Sequence, residues 1–128
     1  MLQRQGVYLL RFSNQVQGEI MELTKVSEKI EEKIKLLEVG REQLKERAKN
    51  KAVTMAEYDK QLSKSILKLK MEGHPATLIE KLAKGECFQY LLDKELAEAM
   101  YKNAITGLST IGSELNGWQS LNRYQTEV

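Results

Sequence analysis

Residues 16–69 read VQGEIMELTKVSEKIEEKIKLLEVGREQLKERAKNKAVTMAEYDKQLSKSILKL. A row of apolar side chains runs through them at alternating four- and three-residue steps: Val16, Ile20, Leu23, Ile30, Ile34, Leu37, Leu44, Ala48, Met55, Tyr58, Leu62 and Leu69. Ser27, Arg41, Lys51 and Ser65 alone interrupt it. A 3.5-residue period held this long predicts a long helix with a coiled-coil seam. One helix does not bury its own stripe, so helices must pair, within or between chains.

Outward from this stretch, the segment 1–12 holds a short apolar run, Val7–Phe12, interrupted by Arg11. The alternation of Tyr8, Leu10 and Phe12 with Leu9 and Arg11 slightly favours a strand over a helical lead-in, and the segment reads as an arm packed on a neighbour. Ser13 or Asn14 is placed to cap a helix over 13–71. Gly40 costs about 1 kcal/mol inside it. Asn50 and the capping-box pattern Thr54-Met-Ala-Glu57 mark a second place to break. The heptad register runs through both, which predicts a continuous helix, roughly 85 Å long at 1.5 Å per residue.

Glu72-Gly73-His74-Pro75 ends it, because Gly73 tolerates the left-handed conformation and Pro75 cannot continue a helix. Thr77-Leu-Ile-Glu80 resembles a capping box opening a short helix over 76–85, which Gly85 closes. A last helix, 88–124, carries the stripe Ala97, Tyr101, Ala104, Leu108, Ile111, Leu115, Trp118 and Asn122. Gly107 and Gly112 within it suggest close approach by another helix. The expected fold is all-α, in one domain: a long helix and a shorter antiparallel one forming a helical hairpin, a short connecting helix, and coiled-coil-type oligomerisation. The seam is clean as far as Leu37 and mixed from Arg41 onward. The first zone reads as a stalk for a homo-oligomer through Val16, Ile20, Leu23, Ile30, Ile34 and Leu37. The second reads as a bundle covered by the shorter helix.

The chain has 128 residues, 30% of them charged, and a net charge of +2. That is mild for a protein that coats nucleic acid, which argues against it as the main partner. No run approaches the ~20 apolar residues that span a membrane, and no leader segment is visible, so a cytoplasmic protein with no membrane partner is expected. There is one cysteine, Cys87, read as a small buried apolar residue. One histidine and one cysteine make no metal cluster, and no phosphate loop or nucleophile elbow is present. No enzyme, cofactor or metal is expected. Most carboxylates alternate with lysines, as solvated helix pairs do.

What remains is binding. Lys60, Lys64 and Lys68 recur every four residues on one helix face, where like charges repel and an anion relieves them. Arg41, Lys45, Arg47, Lys49 and Lys51 form a denser basic patch, with Arg41 and Lys51 at seam positions. His74, in the turn, is placed to donate to a ligand. Trp118, Arg123 and Tyr124 cluster near the end, where aromatic and guanidinium groups suit a nucleotide or a protein partner. The candidate ligand-binding set is Arg41, Lys45, Lys60, Lys64, Lys68, His74, Trp118, Arg123 and Tyr124, for a phosphate-bearing ligand or a host protein.

Four segments carry a family resemblance: Ala56-Glu-Tyr-Asp-Lys60, the run Ile66–Gly85, Tyr101-Lys102 with Ala104, and Glu114–Arg123. Together, over about residues 45–125, they resemble a group of small helical proteins encoded by phages and prophages of Gram-positive bacteria, often near recombination or replication genes. The Gly-x-Pro-x-Thr turn, the Lys-Gly turn and the Leu-Asn-x-x-Gln-Ser segment come in the same order. The resemblance implies a phage product acting inside the infected cell. Two functions fit: a non-enzymatic host-defence antagonist that sequesters a nucleotide signal or blocks a host protein, or an accessory of phage recombination or replication that contacts single-stranded DNA or a recombinase.

Overall fold

The long stripe forms one uninterrupted helix. In a computed structural model, which describes the backbone of residues 2–127 and the side chains of residues 8–126, α1 spans Leu2–Met71, α2 Ala76–Glu86 and α3 Phe88–Glu127. The described residues are all-helical, without a strand. Met1 and the side chain of Val7, both in the expected arm, lie outside the described residues. The described backbone of that arm is helical, so the reading of a strand is corrected: Leu9, Leu10 and Arg11 are good helix formers and extend α1. Ser13 and Asn14 therefore sit inside α1 instead of capping it.

As the register predicts, neither candidate breakpoint ends α1. The Thr54 hydroxyl turns back to the carbonyls of Asn50 and Lys51, at 2.9 and 3.0 Å, instead of capping a new helix. The turn after α1 follows the sequence: Gly73 has φ 83°, the one positive value among the described residues. At α2 the cap is Pro75, with φ −59° and ψ 134°, and no side-chain hydrogen bond. Thr77 lies two residues past that cap position, inside the helix. Gly85 does not close α2, which runs one residue further and meets α3 through Cys87 alone. The Cys87 amide still donates to Ala83, and its carbonyl accepts from Leu91, both at 3.0 Å.

The chain packs as two units, Met1–Val39 with Ser109–Val128, and Gly40–Leu108. The division falls between Leu37 and Arg41, where the stripe changes from clean to mixed. Ser109–Val128 groups with Met1–Val39 in the first unit. There Val26 is the buried hydrophobic, and Lys33 pairs with Glu114 of α3. In the second unit, Leu69 of α1 and Ile79 and Ala83 of α2 form a core, flanked by Leu62 and Ile66. Tyr58, Cys87 and Ala97 are also buried.

Ten of the sixteen positions in the expected row face inward and six do not. Every seventh residue from Leu23 is buried or half-buried: Leu23, Ile30, Leu37, Leu44, Lys51, Tyr58 and Ser65. The alternates Ser27, Ile34, Arg41 and Met55 are exposed, and Val26, Lys33, Gly40 and Thr54 take their places one residue earlier. The contacts explain the shift. Gly40 presents bare backbone to Leu108, whose Cδ2 lies 2.6 Å from where a Cβ would stand. A helix seated there leaves Arg41 outside. Gly107 and Gly112, by contrast, have open space around them, so close approach belongs to Gly40 and not to α3's glycines. The α3 stripe is inward throughout: Ala97 is buried, and Tyr101, Ala104, Leu108, Ile111, Leu115, Trp118 and Asn122 are half-buried.

Candidate functional site

The dense basic patch disperses on folding. Arg47 turns inward and donates to the Met100 carbonyl of α3 at 3.1 Å. The Lys51 ammonium sits over the Tyr101 ring, 4.8 Å from its centroid. Lys45 pairs with Glu42 at 3.2 Å along its own helix. Arg41 is exposed. The patch is thus mainly helix-packing hardware: long stems cover apolar surface, and two of the charges find a carbonyl dipole and an aromatic face.

The four-residue lysine ladder fares differently. Lys64 and Lys68 line a groove of about 250 Å³ with Ser65, Glu86, Cys87 and Tyr90. It lies within the second unit, where the last turns of α1 meet the joint between α2 and α3. Ser65 donates to Glu86 at 2.5 Å, and Lys68 stands 3.6 Å from the other Glu86 oxygen. The Glu86 carboxyl is held below the usual carboxylate range, chiefly by the Ser65 hydrogen bond; burial opposes this, and the charges of Lys68 and His74 add to it. Lys64 has no ion-pair partner among the described residues. Lys60 lies a turn earlier on α1, outside the groove's lining.

His74, in the turn, pairs with Glu72 at 3.2 Å. Trp118, Arg123 and Tyr124 belong to the first unit. Trp118 is half-buried in the α3 stripe. Tyr124 lines a groove of about 370 Å³ with Glu19, Glu22, Leu23 and Gln125, and Arg123 is not part of it. Two carboxylates repel a phosphate there, so the expected nucleotide clamp at the end of α3 does not assemble. The structure therefore brings together Lys64 and Lys68, with His74 acting on the same carboxylate. Trp118, Arg123 and Tyr124 pack in the other unit.

Gln61, Ser65, Glu86, Cys87 and Tyr90 are the groove residues absent from the sequence-derived set. Ser65 did carry a signal, as a polar interruption of an apolar row. Glu86 carried none, because its pairing crosses from one helix to another. Among the described residues, no group of three or more histidine, cysteine or acidic side chains is arranged to hold a metal, and no helix is long and apolar enough to cross a membrane. No family model matches the chain, nor does any curated protein or solved structure.

Proposed function

We propose that this protein acts by binding, without catalysis, and that the groove beside Lys64 and Lys68 takes a phosphate-bearing ligand. One observation carries the reading: Lys64, without an ion-pair partner, lines a concave surface together with a second lysine, a serine and a tyrosine ring. Lysine offers a phosphate a point charge with three donors, and a tyrosine face suits a nucleobase. Glu86 stands 3.6 Å from Lys68, so an arriving phosphate competes with it for that ammonium.

In the phage setting that the resemblance implies, such a binder is a host-defence antagonist. It sequesters a nucleotide signal or blocks a host protein in the cytoplasm of the infected cell, as an antiparallel helical hairpin assembled into an oligomer. A second reading has its own support: Lys60, Lys64 and Lys68 are exposed in a line that extends past the groove, which suits the backbone of single-stranded DNA during phage recombination or replication.

Titrating the purified protein with a labelled cyclic nucleotide and with a labelled DNA strand, across a salt series, separates the two. Cyclic-nucleotide capture that Lys64→Glu weakens about tenfold supports the groove. Strand binding that falls steeply with salt, without nucleotide capture, transfers the function to the DNA reading. Binding of either ligand that ignores Lys64→Glu returns the lysine row to a solvated surface.

A further inference from the structure

Leu9, Val16, Leu23, Ile30, Leu37 and Leu44 stand seven residues apart on α1. From Leu23 onward these side chains are half-buried. Leu23 lines a groove with Tyr124 and Gln125. Leu9 and Val16 belong to the same row and are exposed. At about 100° per residue, Tyr8, Leu9, Phe12, Val16 and Ile20 share roughly a third of the helix circumference, the width of a core-facing stripe. Their exposures are 72%, 70%, 67%, 36% and 57%. Arg11, Glu19 and Glu22 lie along one edge of this stripe, with the positive charge toward one end and the negative charges toward the other.

We propose that this stripe is the docking seat for a second copy of the chain, laid antiparallel about a two-fold axis near residues 14 and 15. The proposal rests on the oligomeric reading above and narrows it: Leu23, Ile30 and Leu37 belong to packing within the chain, and Tyr8–Ile20 carries the contact between chains. In a two-fold interface each contact occurs twice. Leu9 then meets the partner's Ile20, and Phe12 meets the partner's Val16. Charge chooses the direction. Antiparallel docking sets Arg11 against the partner's Glu19 on the same edge. Parallel docking turns this charged edge toward the partner's opposite edge, where Ser13 and Gln17 offer no ion pair. The area is adequate and no more: covering five large side chains on each copy approaches about 1,200 Å², the lower edge of a stable interface.

Sedimentation equilibrium of the full chain tests this, with circular dichroism to confirm that every variant stays helical. The expected result is a dimer that Phe12→Lys weakens at least tenfold. Met21→Lys, equally exposed but on the other side of α1, leaves the dimer intact. Arg11→Glu and Glu19→Arg each weaken the homodimer, and a mixture of the two associates more tightly than either alone. A monomeric wild-type protein overturns both the docking seat and the oligomeric reading. A wild-type dimer indifferent to Phe12→Lys overturns the seat alone. Loss with Phe12→Lys but no effect of Arg11→Glu overturns the antiparallel arrangement.

Discussion

Ser65 is polar in the middle of a buried row, and its hydroxyl reaches a carboxylate on another helix. That contact holds Glu86 ionised to lower pH than usual. Because the folded value is lowered, the stability it contributes is complete above the ordinary carboxylate range and is lost as pH falls through the lowered value. Ser65→Ala removes the largest cause, so an NMR titration of the Glu86 side-chain carbon in that variant should move upward, toward the ordinary value. An unmoved titration means that Lys68 and His74 suffice. Lys33 works at the opposite end of the scale, its ammonium raised by the hydrogen bond to Glu114; that contribution is present below the ordinary lysine value and lost as pH rises through the raised one. The four interruptions of the α1 stripe show what was legible at this scale. Ser65 and Lys51 hold the inward positions that their spacing indicates. Ser27 and Arg41 do not, because the inner row steps to Val26 and Gly40. A hydrophobicity pattern registers a polar residue as a flaw. It does not register that a glycine beside it invites a neighbouring helix.

Two helices, α1 and α3, were readable as elements because each repeats its apolar period many times. Short-range signals misled at the ends of α2, since Thr77 and Gly85 match capping rules yet serve none, whereas the register rightly carried α1 through Thr54. A capping pattern works only where the chain actually turns, and Pro75 sets the turn before α2. Glycines separate helix propensity from packing. Gly107 lies on an exposed part of α3 with nothing near its Cα. Gly107→Ala should therefore stabilise the protein by about 0.5–1 kcal/mol in urea unfolding. Gly40→Ala should fall short of that gain or reverse it, because its methyl group displaces Leu108. Equal gains at the two sites would show that Leu108 swings away without cost. Gly73→Ala should lose about 1 kcal/mol or more, since the turn needs a left-handed residue.

The molecule distributes its burial unevenly. Among the described residues, the first unit holds one buried hydrophobic side chain, Val26, whereas the second holds Tyr58, Leu69, Ile79, Ala83, Cys87 and Ala97. Local opening is cheapest where few apolar contacts must break. Native-state hydrogen exchange should therefore find the slowest amides around residues 58–69 and 83–97, with faster exchange at 23–37 and 109–125. Uniform protection would instead indicate a single cooperative block. Neither the groove nor the uneven core was readable from one chain of letters, because both arise where α2 folds back onto α1 and brings distant residues together. Cys87 gives this arrangement a built-in clock. It is the chain's one thiol, buried at 5% exposure in the wall of the Lys64 groove. A thiol reagent can modify it only when that corner opens, so the labelling rate counts openings of the second unit without any engineered probe. A molecule seated in the groove would slow that clock, making occupancy measurable in time units before the ligand is known.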